Sequence, residues 1–371
     1  MDFDFSDDQE QLRDAVRKWV DKAYSFDRRR SIEQAGGFDR GAWNELAELG
    51  LCGLYVSEDD GGMGMGPVEG MVVMEELGRG IVLEPLAQAL VCGAVLSGYA
   101  DEQTKAQWLP KLCSGEALLV LASQEQGKRY RLDASSCNAT AAGSGYQISG
   151  AKSLVPAGDQ ADAFLLSAMV DSELALFLIE RTASGLQTRG YGTQDGGRAA
   201  EVRMHNTPAT LITRHGRTAL EHATDVGIAA LCAQAVGAMD KTLAMTAQYM
   251  NTRKQFGATL SSFQALRHRV ADMKMQVELG RSMSYYSSLK LNAPAPERRA
   301  AMARAKYQIG QSMRYVGQQA VQLHGGIGVT NEYMVSHYFK AMTQMEMSYG
   351  DSMHQLGEVS AHMQDTAGVF A

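Results

Sequence analysis

The sequence predicts a mainly α-helical chain with a central β domain. Three observations carry that prediction. Apolar residues recur at helix spacing from Ser6 to about Gly115, and short apolar runs broken by turn residues fill about Glu116 to His215. Long Ala- and Met-rich amphipathic segments then occupy the rest of the chain. The implied domains are 1–115, 116–215 and 216–371.

In the first region Ser6 and Gln9 have the spacing of a capping box, with Leu12, Val16, Trp19 and Val20 at helix spacing behind them. The Gly61–Gly66 run, GGMGMG, follows no strand and lacks both the G-x-G-x-x-G spacing and a Walker lysine, which favours a structural turn over a phosphate loop. In the middle region LLVLAS, YQISGAKSLVP, DAFLLSAMV and LALFLIE sit among Gly, Ser, Asn and Asp, a spacing typical of an antiparallel barrel or sandwich. The last region divides into helical runs at 218–251, 262–291, 296–323 and 332–364, which predict a four-helix bundle. Most of the 21 methionines read as filler for its core.

At 371 residues and 45% hydrophobic content, the chain can build two or three cores. A net charge of -7 argues against nucleic-acid binding through a basic surface. The five cysteines are scattered, without a CxxC pair, and the eight histidines form no metal-ligand pattern, so reduced buried thiols and no metal are expected. The start, MDFDFSDDQEQLRDAV, shows no signal pattern, and no apolar run is long enough to span a membrane. A soluble, unprocessed cytoplasmic protein is the expectation.

Two stretches carry chemistry. In RKQFGATLSSFQALRHRVADM, Arg253 and Phe256 fall at a corner between helices; the arginine suits a phosphate, and Phe256, Phe263 and Gln264 suit a flat heterocycle. In AVQLHGGIGVTNEY, Gly325, Gly326 and Gly328 follow a helix end and permit close backbone approach, with Gln322 one turn earlier. Each alone is also compatible with a plain interhelical turn. Together they point to a dinucleotide.

With LAELGLCGLYVSEDDGGMGMG, these stretches make the chain resemble the acyl-CoA dehydrogenase family over essentially its whole length. The resemblance implies an N-terminal α domain, a β barrel and a C-terminal four-helix bundle, assembled as a tetramer. It also implies FAD. Arg253, Phe256, Phe263 and Gln264 would contact the flavin of one subunit, while Gln322, Gly325 and Gly326 would hold its adenosine end across an interface. The family reaction is α,β-dehydrogenation of an acyl-CoA thioester, in which a carboxylate takes the α proton and hydride passes to the flavin. Reoxidation is usually by an electron-transfer flavoprotein.

The family's catalytic Tyr-Glu-Gly-Thr tetrad corresponds here to Ser348-Tyr349-Gly350-Asp351, so Tyr349 stands where the base belongs. Phenol, with a reference pKa of about 10, is a poor base near neutrality. Asp351 is the candidate substitute, and Glu346, three residues before Tyr349, is read as facing solvent. A base position used by some relatives falls on Gly227, while Asp225 matches an aspartate that contacts the CoA chain. SQEQGKRYRLD replaces the family's Thr-Glu-Pro-Gly-x-Gly-Ser-Asp stretch, and Leu154 and Pro156 replace the tryptophan and threonine beside the flavin ring.

These losses resemble the small subunit of pimeloyl-CoA dehydrogenase and the heteromeric dehydrogenases of steroid side-chain degradation. The leading expectation is therefore a base-deficient subunit of a heterotetramer, in lipid or steroid β-oxidation, with a second, catalytically complete acyl-CoA dehydrogenase chain. The alternatives are a self-sufficient dehydrogenase using Asp351 and a non-catalytic scaffold.

Overall fold

Helix-forming sequence opens the chain, and its first signals act as local chemistry requires. The computed structural model describes residues 5–133, 135–143 and 145–366. Ser6 and Gln9 close a reciprocal capping box on α1 (Asp7–Lys22), which buries Val16, Trp19 and Val20. There follow α2 (Phe26–Gln34), α3 (Arg40–Glu48), α4 (Pro67–Gly80), α5 (Leu86–Tyr99) and α6 (Glu102–Cys113).

Seven strands come next: β1 (Leu119–Ala122), β2 (Asn138–Ala142), β3 (Gly145–Pro156), β4 (Ala163–Val170), β5 (Glu173–Glu180), β6 (Leu186–Gly192) and β7 (Arg198–Thr213). The chain ends with α7 (Gly216–Thr252), a hairpin of β8 (Lys254–Gln255) and β9 (Ala258–Thr259), and α8 (Gln264–Lys290). Last come α9 (Ala295–His324), α10 (Met334–Met347) and α11 (Ser352–Thr366). The order helices, strands, helices is the expected acyl-CoA dehydrogenase-type architecture. No described helix is long and apolar enough to cross a membrane.

Residues 5–29, 67–82 and 228–366 form one compact unit, and 30–66 with 83–227 form another. In the first, α9 packs against α8, α10 and α11, and α4 packs on α1 and α8. Where α4 meets α7 the backbones touch: a Cβ on Gly78 would lie 2.0 Å from Gln234 O, and one on Gly237 1.8 Å from Glu75 O. Only glycine permits that crossing.

In the second unit β4, β2, β3, β7 and β5 pair in a closed ring, with β1 added to β4 and β6 added to β7. The expected antiparallel pattern needs one correction, since β4 runs parallel to β1 and to β2. Closure leaves few open edges. The Gly61–Gly66 run is a turn whose amides are spent on its own backbone. Gly62, Met63, Gly64 and Met65 N–H donate to Ser57, Gly53, Val56 and Leu54 carbonyls, leaving those amides unavailable to a phosphate. All five cysteines are buried and unpaired.

A buried ion pair ties the strand ring together. Lys152 Nζ donates to Glu125 Oε1 at 2.7 Å and to Ser167 Oγ at 3.0 Å, and Ser136 N donates to Glu125 Oε2 at 2.6 Å. Burial pushes the Glu125 carboxyl up, but the hydrogen bonds from Lys152 and Ser135 and the lysine charge outweigh it and hold the group at about 2. A carboxyl depressed in the fold stabilises it above the unfolded value, and that stabilisation fades as pH falls toward 2. Acid from pH 4.5 downward should therefore loosen β3 and β4, read by hydrogen exchange. Glu125→Gln, which leaves the lysine buried without its counter-charge, should cost about 3–5 kcal/mol in chemical denaturation at neutral pH.

Candidate functional site

The sequence from Thr252 to Phe263 folds as more than a corner between helices. α7 stops at Thr252, and β8 and β9 form a two-residue hairpin before a short 3-10 turn leads into α8. The turn residues Phe256 and Gly257 both have left-handed φ, 53° and 77°. That geometry suits a twisted hairpin but is unfavourable for phenylalanine, at about 1–3 kcal/mol. Phe256 is nonetheless 93% exposed, touching Phe263 edge-on at 6.2 Å. A large apolar ring is thus held outward in a strained turn. Gln264 is exposed at the first position of α8.

Behind the hairpin lies a cleft of about 370 Å³ that brings together four of the predicted residues: Arg253, Gln322, Gly325 and Gly326. Helix α9 ends there, and Gly325 takes φ 64°, ψ −142°, a conformation open only to glycine. A Cβ on Gly325 or Gly326 would meet no atom within 4 Å, so bare backbone faces open space. Arg269 of α8 adds a second guanidinium, and no carboxylate is among the lining residues. The cleft suits an anionic ligand.

Aromatic rings form its floor. Tyr249 stacks on His324 with centroids 4.4 Å apart, and Tyr333 tilts against the imidazole at 5.2 Å. Tyr249 O–H donates to His324 O at 3.3 Å. The sequence motifs contained Arg269, His324 and Tyr333 without singling them out. Tyr249, one helical turn before Arg253 and so on the same face, was the available signal for the floor.

The segment 345–354 departs from its expected form. One helix was expected over 332–364, but α10 ends at Met347 and α11 begins at Ser352. Tyr349 and Gly350 break it, with φ 55° and 102°. Glu346 was read as facing solvent; instead it is half-buried, and its Oε1 accepts from Ser352 N at 2.9 Å. Asp351 Oδ1 accepts from His354 N at 2.8 Å, as a helix N-cap. Both carboxylates are thus engaged at the start of α11, where the helix dipole favours negative charge.

Lys306 of α9, fully buried, donates from Nζ to Glu346 O at 2.8 Å. It satisfies a carbonyl that the end of α10 would otherwise leave bare. Burial lowers the lysine to about 8, opposed by Cys232, Glu346 and Asp351 nearby. Gln355 Nε2 completes the corner by donating to Tyr349 O at 2.8 Å.

The remaining predicted residues lie in the other unit. Asp225 is fully buried in α7. Leu154, at a register shift between β3 and β7, has φ 53° and is half exposed, while Pro156 pairs opposite Ala199. Pro156 has no N–H to offer a ligand. No group of His, Cys, Asp and Glu able to hold a metal occurs among the described residues.

Comparison with known proteins matches two models of one family. Residues 6–116 match the acyl-CoA dehydrogenase N-terminal domain, and residues 214–364 match its C-terminal domain. Acyl-CoA dehydrogenase FadE27 of Mycobacterium tuberculosis is 26% identical, with 99% of this chain and 100% of that protein covered. Among solved structures, a variant of the steroid ACAD Tcur3481–Tcur3483 superposes with a TM-score of 0.90 at 28% identity, covering 97% of this chain and 98% of that one. The ChsE4–ChsE5 complex from Mycobacterium tuberculosis gives a TM-score of 0.90 at 25% identity, covering 99% and 100%.

Two variants test the geometry. Gly326→Leu should leave stability within about 1 kcal/mol of the parent, because its side chain enters open space. It should weaken nucleotide binding about tenfold or more, read by calorimetry. Lys306→Glu, which buries a carboxylate beside Glu346 and Asp351, should cost about 3–5 kcal/mol. Lys306→Met should cost only about 1–3 kcal/mol, for the unpaired carbonyl.

Proposed function

The chain belongs to the acyl-CoA dehydrogenase family of FAD-dependent oxidoreductases, and we propose that it is the base-deficient subunit of a hetero-oligomer in that family. The observation that carries this reading is the corner between α10 and α11. Tyr349 stands at the base position in a left-handed turn, and the neighbouring carboxylates of Glu346 and Asp351 cap α11. In this reading the α proton of the acyl-CoA is taken by a carboxylate of the second chain.

The cleft residues fit the pyrophosphate and adenosine end of FAD. Two guanidiniums, exposed glycine backbone and a tyrosine–histidine stack supply charge, close approach and a flat surface. Arg253 and Gln322 would hold the tail, and Phe256 and Phe263, with Gln264, would reach a flavin shared with the partner. Leu154 and Pro156 offer the ring neither an aromatic face nor a hydroxyl. The flavin, when bound, supplies the hydride acceptor. Around it this chain's task is to bind, orient and exclude water.

The steroid ACAD among the similar structures supports a bulky acyl-CoA as substrate; an electron-transfer flavoprotein as the oxidant of the reduced enzyme follows from the family resemblance. Asp225 would contact the CoA chain only after the burial seen here is relieved.

Assays of the chain alone and with its second subunit test the proposal. Turnover should require both chains. Asp351→Asn should keep both the cap, since asparagine caps as well as aspartate, and the activity of the complex. Full turnover by the isolated chain, abolished by Asp351→Asn in a folded variant, would instead make Asp351 the base.

A further inference from the structure

We propose that anion binding in the cleft is coupled to protonation of His324, so that affinity for a nucleotide pyrophosphate rises as pH falls. The inference rests on the cleft reading above and deepens it. His324 Nδ1 lies 2.8 Å from Ala320 O, and a carbonyl only accepts, so Nδ1 carries the proton and Nε2 is bare. Nε2 is buried and has no hydrogen-bond partner among the described residues. A buried acceptor without a donor is rare and asks for an explanation.

The groups packed around the imidazole account for its neutral state. Tyr249 of α7 stacks on one face, and Tyr333, before α10, tilts against the ring. Arg253 at the end of α7 and Arg269 of α8 line the same cleft, without a carboxylate among the lining residues to offset them. Burial holds the His324 pKa below its ordinary value, against the opposing bond to Ala320. Burial also pushes Tyr333 upward, so it stays uncharged in the same range.

A pyrophosphate diester brings two negative charges among these groups. It neutralises the guanidiniums and attracts an imidazolium across the cleft wall. The stacked face of Tyr249 favours the cation as well. Protonation turns the orphaned acceptor into a donor, while the bond from Nδ1 to Ala320 is kept. By linkage, a ligand that raises this pKa must bind more tightly where the proton is available.

ADP-ribose is a suitable probe, because its phosphates are diesters and lack the ionisation near pH 6 of a phosphate monoester. The full chain is titrated with it calorimetrically at pH 5.5 and 8.0, and near pH 6 in MES and Bis-Tris, whose ionisation heats differ. The coupling predicts affinity up to about tenfold higher at pH 5.5, corresponding to about one unit of pKa shift, with proton uptake peaking at about half a proton per ligand. His324→Phe, which keeps a ring against Tyr249, should lose both the pH dependence and the proton uptake. His268→Gln, an exposed control on α8, should lose neither. Equal affinity at both pH values with no proton uptake by the parent chain overturns the coupling, whether or not the phenylalanine variant folds. Absence of binding at every pH overturns the cleft reading as well.

Discussion

A single ammonium inside the bundle sets the shape of the segment on which the functional reading turns. Lys306 Nζ donates to Glu346 O at the end of α10, a carbonyl that has no following helical turn to accept from. Once the helix ends, Tyr349 and Gly350 turn the chain through left-handed φ, and α11 starts with Glu346 and Asp351 as its caps. The caps that stabilise α11 engage the carboxylates that a self-sufficient enzyme would need near Tyr349.

The end of α9 follows a similar logic with a different outcome. Gly325 leaves the helix in a conformation closed to other residues, and the bare backbone after it faces a cleft with two arginines and a stacked tyrosine–histidine floor. In the proposed reading, binding features are retained here while the residues for proton abstraction are missing. An ordinary relic would lose both without preference. Retention of strain at Phe256, which a glycine would relieve, also fits a surface still in use.

The order of helices and strands was legible because amphipathic period and turn residues are local properties. The capping box at Ser6 and the turn at Gly61–Gly66 were likewise written in adjacent residues. What escaped was set by tertiary contact. The β8–β9 hairpin depends on a phenylalanine accepting left-handed φ, against its own preference. The break in the last helix depends on Lys306, about 40 residues upstream of Glu346, and the parallel pairing of β4 on partners distant in sequence. Arg253, Gln322, Gly325 and Gly326 were singled out from residue chemistry and then from the family resemblance, but their clustering with Tyr249, Arg269 and His324 needed the fold. Asp351 was singled out as a carboxylate near the right position; its role as a cap was visible only once α11 was seen to begin at Ser352.

The central claim is that this chain contributes flavin-tail contacts while another chain supplies the base. The flavin content of the complex purified with its second subunit tests that most directly, by absorbance against protein concentration. The account predicts fewer flavins than chains, with acyl-CoA bleaching the bound flavin only when both chains are present. One flavin for every chain, bleached by acyl-CoA in a preparation of this chain alone, would contradict it.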